Sequence, residues 1–223
     1  MDSTPRTELH ADAVVFDMDG TLVDSTELVE RVWAAFVDRH AEQGIDLAEL
    51  LAFAHGRRAG DTVSRFLPAD TDVEAAVAGI HADETGLEGG VAEVPGAGAF
   101  VAAFAVTDVA LVTSAGRSLA ALRMGEAGIP VPAVLIGADD VTEGKPSPEG
   151  YRRAIELLGR APERVVIFED ADAGLVAARA SGAQVVVVGA YEGDSTAGLP
   201  RIPDYTRTRV HPAPDGGYRI TLG

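Results

Sequence analysis

Five short apolar segments, each three to five residues long, recur along the chain with turns or helical patterns between them. Their apolar positions are consecutive rather than alternating, which is typical of strands covered on both faces in a parallel sheet. Before the fourth segment, Tyr151, Ala154 and Leu158 have the spacing of an amphipathic helix. Strands that alternate with helices predict a doubly wound α/β sheet, whose ligands gather at the carboxyl ends of the strands. The predicted strands are Ala13–Phe16, Val109–Val112, Val134–Ile136, Val165–Phe168 and Gln184–Val188.

The alternation of strand and helix is interrupted between about residues 29 and 90. This stretch is rich in alanine and contains no convincing strand, but Leu47–Ala54 and Val73–His81 have helical patterns. An earlier helix could begin with a capping box formed by Asp24 and Glu27. The pattern therefore predicts a helical insertion after the first strand.

The insertion divides the predicted fold into two domains. We expect an α-helical domain over residues 26–92 and a discontinuous α/β domain over residues 1–25 and 93–223. The natural hinges between the two are Asp24–Thr26 and Gly89–Gly96.

Local signals also mark element ends in the second half of the chain. Ser147 followed by Pro148 is typical of a helix N-cap with proline at the first helical position. Near the end of the sequence, Tyr205–His211 and Tyr218–Leu222 flank a turn at 215–217. This arrangement predicts a β-hairpin.

Composition limits the partners that this fold could have. The 223 residues include 18 basic and 35 acidic side chains, a formal net charge of −17, so we expect neither nucleic acid nor an anionic membrane as a partner. The absence of cysteine excludes disulfides, thiolate metal sites and thiol nucleophiles. No apolar run approaches the ~20 residues of a membrane span and Met1–His10 does not resemble a signal peptide, so we expect a cytoplasmic protein. The sequence leaves the oligomeric state open, with a monomer favoured.

Polar residues stand at the ends of three predicted strands and in the segment before Ser147. Taken singly, each has an ordinary structural role, because a carboxylate after a strand often caps a helix and a lysine is usually solvated. Together they place at least four acidic groups at one sheet edge, where they would repel one another unless a cation and an anionic substrate complete the site. The segments are Asp17-Met18-Asp19-Gly20-Thr21, Thr113-Ser114-Ala115-Gly116, Gly144-Lys145-Pro146 and Glu169-Asp170.

This set of groups suits the transfer of a phosphoryl group. A carboxylate that attacks a phosphate monoester meets an anion, so a divalent ion must neutralise both; oxygens of Asp17, Asp170 and the Asp19 carbonyl suit Mg²⁺. The Asp19 side chain could protonate the leaving oxygen and then activate water. Glu169 is either a direct metal ligand or a residue that orients one, and the sequence leaves both open. The groups expected to hold the transferring oxygens are Thr113, Ser114, Ala115, Gly116 and Lys145.

Four motifs in these segments resemble, in order and in spacing, those of the haloacid dehalogenase superfamily. The resemblance covers residues 13 to about 190. It implies a Rossmann-like core with an inserted helical cap, dependence on Mg²⁺, and an aspartyl-phosphate intermediate on Asp17. Because Asp19 is present, the resemblance favours phosphate chemistry over the cleavage of carbon–halogen bonds. The motifs are Asp17–Ser25, Thr113-Ser114, Gly144–Pro148 and Phe168–Gly174.

The predicted cap carries a loop that resembles a narrower group of enzymes. Residues 55–62, His-Gly-Arg-Arg-Ala-Gly-Asp-Thr, are similar to the cap loop of glycerol-phosphate and 2-deoxyglucose-6-phosphate phosphatases. The resemblance makes Arg57, Arg58 and Asp61 candidates for contact with substrate, with Arg58 preferred. A solvated helix end is the alternative for the two arginines.

These observations together predict a Mg²⁺-dependent phosphatase that hydrolyses a small phosphorylated sugar or polyol. A β-phosphoglucomutase-like enzyme is the first alternative, because residues 144–151 and the helical cap also resemble that group, although the position of its hinge histidine holds Val29. The second alternative is a non-enzymatic, receiver-like phospho-switch, which uses similar strand-end groups around Mg²⁺ but is shorter and has no cap.

Overall fold

The computed structural model describes residues 7–87, 89–214 and 216–223. None of the helices in these ranges is both long and apolar enough to span a bilayer. The strands are β1 (Glu8–Ala11), β2 (Ala13–Phe16), β3 (Val23–Asp24), β4 (Ala92–Glu93), β5 (Val109–Val112), β6 (Val134–Ile136), β7 (Val165–Glu169), β8 (Gln184–Val188), β9 (Arg201–Ile202), β10 (Arg209–Pro212) and β11 (Tyr218–Thr221). The helices are α1 (Thr26–Arg39), α2 (Leu47–Ala54), α3 (Ala59–Phe66), α4 (Val73–Gly86), α5 (Ala97–Val101), α6 (Arg117–Glu126), α7 (Glu149–Leu158) and α8 (Asp172–Ser181).

The centre of the fold is a parallel sheet of six strands in the order β6-β5-β2-β7-β8-β9. Val14 and Phe16 of β2 face one side and pack in a cluster with residues of α5 and α6. Ala13 and Val15 face the other side and pack with α7 and α8. Burial on both faces explains the continuous apolar segments, and the predicted doubly wound α/β sheet is confirmed.

Helices α1 to α4 form the predicted insertion and pack around an apolar cluster of their own. Phe36, Leu50, Val63 and Ile80, one from each helix, are at most 1% exposed in this cluster. The two connections to the sheet run side by side, because β3 pairs antiparallel with β4. The inserted helical cap is therefore confirmed, while the domain boundaries at residues 25/26 and 92/93 stay a prediction.

A second, antiparallel sheet has the order β1-β11-β10. The predicted C-terminal hairpin is confirmed, since β10 pairs with β11, although its first strand begins at Arg209 rather than Tyr205. The predicted turn includes Asp215, which lies outside the described residues. Strand β1 was not predicted, because of its four residues only Ala11 is buried and the segment has no continuous apolar run.

Two helix starts differ from the prediction. Ser25 occupies the N-cap of α1 without a side-chain cap, and Asp24 accepts a hydrogen bond from the Thr26 N–H at 3.2 Å, so the predicted capping box is wrong. Helix α7 begins at Glu149 with Pro148 at the N-cap, so the prediction of Ser147 as N-cap is one residue early. In both cases the chain enters the helix from a segment that also contributes to the site at the sheet edge.

Candidate functional site

Three carboxylates meet at the carboxyl edge of the parallel sheet. Asp17 directly follows β2, Glu169 ends the neighbouring strand β7, and Asp170 comes next. All three side chains are buried, and one oxygen of each lies within 4.8 Å of an oxygen of the others. Parallel neighbours end at the same edge of a sheet, so the topology brings together motifs that are far apart in sequence.

Lys145, the only lysine of the sequence, lies between two of these carboxylates. Its buried ammonium donates hydrogen bonds to Asp17 and, at 2.6 Å, to Glu169. The ammonium also lies 5.1 Å from the centre of the Tyr151 ring, within the range of a cation–π contact. The lysine therefore compensates the charge of both the first and the fourth motif.

The Glu169 carboxylate is fully occupied by donors. One oxygen accepts hydrogen bonds from Lys145 and, at 3.0 Å, from the Tyr151 hydroxyl. The other oxygen accepts the N–H groups of Asp170 at 2.7 Å and Ala171 at 2.9 Å. Each oxygen therefore has two protein donors, which fixes the carboxylate in place.

This buried cluster carries more negative than positive charge. Burial raises the pKa of Asp17 well above its ordinary value, the Glu169 and Asp170 charges raise it further, and Lys145 acts to lower it. Burial also raises the pKa of Asp170, against the lowering effect of a hydrogen bond from His55. For Lys145, burial acts to lower the pKa, but Asp17 and Glu169 outweigh this effect and leave it raised. A further cation would relieve this imbalance.

The donor set fits a divalent metal ion that prefers oxygen ligands. Asp17 and Asp170 supply carboxylate oxygens close together, and the backbone approaches them closely at Gly20. Gly20 has φ +81°, and a Cβ at this position would overlap the Asp170 carboxylate. Because only glycine has no Cβ and tolerates this conformation readily, the loop after β2 can lie directly against Asp170.

The Asp19 side chain is not part of the three-carboxylate cluster. It accepts hydrogen bonds from the Ser25 hydroxyl at 2.6 Å and from the Arg123 guanidinium at 2.9 Å. Both Asp17 and Asp19 border the same cavity. The two aspartates of the first motif thus have different partners: Asp17 contacts Lys145, and Asp19 contacts Ser25 and Arg123.

The loop after β5 lies between the sheet edge and the cap. The Thr113 hydroxyl accepts the N–H of Ala115 at 3.1 Å, which closes a tight turn, and Gly116 is the N-cap of α6. The Ser114 hydroxyl donates to the Gly56 carbonyl of the cap at 2.8 Å. All four residues of the predicted phosphate loop border the cavity.

The cavity between the sheet edge and the cap has a volume of about 740 Å³. Its floor includes Asp17, Asp19 and Asp170. Its cap side combines apolar and ionisable side chains, among them Val29, Trp33, Val77, His81 and Glu84. The volume is in the range of pockets that hold small organic molecules.

The cap residues predicted to contact substrate lie in two different places. Arg57 borders the cavity, and its guanidinium lies 4.6 Å from the centre of the Phe53 ring. Arg58 pairs with Asp61 at 3.1 Å and donates to the Thr142 carbonyl of the core at 3.2 Å. Arg58 and Asp61 are not among the described residues that line the cavity, so this placement does not support the preference for Arg58 as a substrate contact.

Sequence reasoning missed two residues at this site. The His55 side chain is half exposed, and its Nε2 lies 2.8 Å from an Asp170 oxygen. This hydrogen bond raises the pKa of His55 to about 9, although burial acts to lower it. Arg123 is buried beside Asp19. The sequence carried a signal for each residue. His55 is the first residue of the cap loop at 55–62, and Arg123 lies on the apolar face of α6, next to Met124 and three residues after Ala120.

The chain is similar to known phosphatases and to a solved structure that holds phosphate. Hexitol phosphatase A of Escherichia coli (strain K12) is 38% identical over 181 residues, which cover 79% of this chain and 82% of that protein. 2-Deoxyglucose-6-phosphate phosphatase 1 of Saccharomyces cerevisiae (strain ATCC 204508 / S288c) is 34% identical over 207 residues, which cover 80% of each chain. The crystal structure of CbbY from Rhodobacter sphaeroides in complex with phosphate has a TM-score of 0.70 at 26% identity, covering 87% of this chain and 95% of that one.

A family model described as haloacid dehalogenase-like hydrolase matches residues 11–182. This range contains all four motifs at the sheet edge and the whole inserted cap. The predicted resemblance is confirmed, and the chain belongs to the haloacid dehalogenase-like hydrolases.

Proposed function

We propose that this protein is a Mg²⁺-dependent phosphatase that hydrolyses a small phosphorylated sugar or polyol through an aspartyl-phosphate on Asp17. The observation that carries the proposal is the buried contact between Lys145, Asp17 and Glu169, next to Asp170 and beneath a cavity closed by the cap. The names of the two curated relatives support the choice of a phosphorylated sugar or sugar alcohol as substrate.

In the first step, a carboxylate oxygen of Asp17 attacks the phosphorus atom of the monoester. The bond between phosphorus and the leaving oxygen breaks as the new bond to Asp17 forms, and Asp19 donates its proton to the leaving alkoxide. Asp19 borders the cavity and accepts hydrogen bonds from Ser25 and Arg123, whereas Lys145 donates to Asp17 and Glu169, and this difference supports the separate role. The products of this step are the free alcohol and the phosphorylated aspartate.

In the second step, a water molecule attacks the phosphorus atom of the acyl phosphate. Asp19, now a carboxylate, accepts the proton of this water, and inorganic phosphate leaves while the Asp17 carboxylate is restored. Helices α1 to α4 cover the cavity and limit the entry of bulk water during transfer. Asp19 thus ends the cycle protonated, ready for the next substrate.

The phosphoryl oxygens need donors in both steps. Lys145 supplies an ammonium at the nucleophile, and the loop of Thr113, Ser114, Ala115 and Gly116 supplies hydroxyl and N–H donors at the cavity wall. We assign Glu169 the role of orienting Lys145, because both of its oxygens already accept two hydrogen bonds.

Asp17, Asp170 and the Asp19 carbonyl would hold the metal ion. When bound, Mg²⁺ supplies positive charge that offsets the repulsion between the carboxylates and an anionic phosphate. On the cap side, Arg57 is the candidate for contact with substrate, since it borders the cavity. Arg58 and Asp61 instead hold the cap loop against the core through the Thr142 carbonyl.

The proposal is tested by a phosphate-release screen over phosphates of hexoses, deoxyhexoses, hexitols and glycerol, with and without Mg²⁺. We expect Mg²⁺-dependent release from at least one sugar or polyol phosphate, and no release by Asp17→Asn, which keeps the size of the side chain. Release by Asp17→Asn at the parent rate would contradict the mechanism. Conversion of β-glucose 1-phosphate to glucose 6-phosphate in the presence of an activating bisphosphate would instead identify a mutase.

A further inference from the structure

Arg123 is a buried cation that the two steps above do not use. Its residue is 3% exposed, and its two terminal nitrogens each donate a hydrogen bond of 2.9 Å, one to Asp19 and the other to Glu84. Asp19 follows β2 in the core, Arg123 belongs to α6 of the core, and Glu84 belongs to α4 of the cap. One guanidinium therefore connects the proposed acid–base residue to the cap.

The two carboxylates are what hold this guanidinium in place. Its third nitrogen, Nε, is buried and has no hydrogen-bond partner within the described part of the chain. A buried arginine is costly unless its charge is paired, and here one positive charge is shared between two negative ones. Moving either Asp19 or Glu84 would leave Arg123 partly uncompensated, so the positions of the two carboxylates depend on each other.

The contacts of Asp19 also distinguish its two oxygens. Oδ1 accepts hydrogen bonds from both Arg123 and Ser25, which is the residue before α1. Oδ2 has no hydrogen-bond partner among the residues that the structure describes, and the side chain borders the cavity. Two donors on one oxygen fix the rotation of the carboxyl group and leave the other oxygen free for proton transfer to substrate.

We propose that Arg123 is a positioning residue that, through Glu84, couples the placement of Asp19 to the seating of cap helix α4 on the core. When α4 is seated, Oδ2 of Asp19 carries the proton that passes to the leaving alkoxide as the bond between phosphorus and that oxygen breaks. When α4 is displaced, Arg123 loses Glu84 and Asp19 loses its fixed orientation. This inference rests on the proposed function, because it needs Asp19 to be the proton donor.

The test compares two leaving groups. Glucitol 6-phosphate releases an alkoxide that needs a proton, whereas p-nitrophenyl phosphate releases a phenolate that leaves without one. For Arg123→Gln we expect kcat/KM for glucitol 6-phosphate to fall by roughly 10- to 100-fold, as for a displaced catalytic group. The value for p-nitrophenyl phosphate should stay close to that of the parent, because kcat/KM reports the steps up to release of the alcohol. Equal losses on both substrates would overturn the proposal.

A double-mutant cycle separates an effect through Asp19 from a general structural effect. In an Asp19→Asn background, which already lacks the proton donor, Arg123→Gln should cause no further loss on glucitol 6-phosphate. A full additional loss there would show that Arg123 acts independently of Asp19. If melting curves show that Arg123→Gln does not fold, Glu84→Ala, which removes only the cap partner, should give the same dependence on leaving group.

Arg39→Gln is the matched control. It breaks an ion pair of 2.6 Å between Arg39 on α1 and Asp83 on α4, next to Glu84, without touching Asp19. We expect the ratio of the two kcat/KM values to equal that of the parent in this variant. If the parent protein with Mg²⁺ hydrolyses none of the sugar and polyol phosphates of the screen, the proposed function itself fails. If it hydrolyses p-nitrophenyl phosphate and either glucitol 6-phosphate or another alkyl phosphate from the screen used in its place, and the Arg123 and Glu84 variants keep the parent ratio, only the role of Arg123 fails.

Discussion

Replacing Lys145 with methionine removes the cation that Asp17 and Glu169 share. Methionine keeps a flexible apolar stem that can still pack against the Tyr151 ring, so the change is mainly one of charge. Breaking a buried ion pair by removing one partner costs about 3–5 kcal/mol. In a chain of this length each kcal/mol shifts the melting temperature by roughly 2–4 °C. We therefore expect the melting temperature of Lys145→Met to fall by about 6–20 °C at neutral pH.

The size of this loss should depend on pH. Burial already raises the pKa of Asp17, and Lys145 acts to lower it, so the pKa rises further without the lysine. A carboxyl group whose pKa is higher in the folded than in the unfolded state stabilises the fold below its unfolded pKa, and this contribution is lost as pH rises. The difference in melting temperature between the parent and Lys145→Met should therefore be small near pH ~4 and grow toward pH ~8.

Activity should respond in the same direction. In the proposed mechanism Asp17 attacks as a carboxylate, so a higher pKa of Asp17 should move the acid limb of the kcat/KM profile to higher pH. Loss of the ammonium would also remove the proposed donor to the transferring oxygens, and the loss of such a donor typically costs about 100- to 1,000-fold in kcat. Both effects are measured by phosphate release over a pH series at saturating Mg²⁺.

Tyr151→Phe is the control for this variant, because it removes the 3.0 Å hydrogen bond to Glu169 and changes no charge. This change should lower the free energy of unfolding by about 1.5–3 kcal/mol, as for a hydrogen bond to a charged group, and by the same amount at every pH below the tyrosine range. Thermal melting by circular dichroism between pH ~4 and ~8 provides the measurement. A Lys145→Met protein that melts with the parent at every pH and keeps its activity would refute the reasoning.

Three further predictions concern other parts of the molecule. Gly20→Ala, whose Cβ would overlap the Asp170 carboxylate, should abolish phosphate release, whereas Gly44→Ala, also at positive φ but with nothing within 4 Å of its Cβ, should keep it; equal activities would contradict the close approach. Chelation of Mg²⁺ by EDTA should remove activity and added Mg²⁺ should restore it, with a higher melting temperature; activity that persists in EDTA would refute the metal requirement. Phe36→Ala, fully buried in the cap cluster, should lower the free energy of unfolding in urea by about 3–5 kcal/mol, and a loss below about 1 kcal/mol would contradict the packing.

The sheet and its site were predictable for the same physical reason. Strands buried on both faces must be continuously apolar, and the residues that follow them must meet at one edge when the strands are parallel. Asp17, Glu169 and Asp170 could therefore be grouped from the sequence. Strands β1 and β9 could not be predicted, because β1 is mostly exposed and β9 has only two residues.

Contacts across the boundary between cap and core were not predictable. His55 reaches Asp170 and Arg123 reaches Glu84 only because of the angle at which the cap meets the core, and no local pattern encodes that angle. The adjacent residues Arg57 and Arg58 illustrate how little the sequence predicts about such contacts. They stand side by side before α3, yet one faces the cavity and the other faces the Thr142 carbonyl.

The most direct test of the central claim is to trap the intermediate. The protein is mixed with Mg²⁺ and a substrate from the screen, quenched in acid within one turnover, digested and analysed by mass spectrometry. We predict one added phosphoryl group on the peptide that contains Asp17 and Asp19, with fragmentation placing it on Asp17, and no such group in Asp17→Asn. Turnover of substrate with no phosphorylated peptide, or with the group on another residue, would contradict the account.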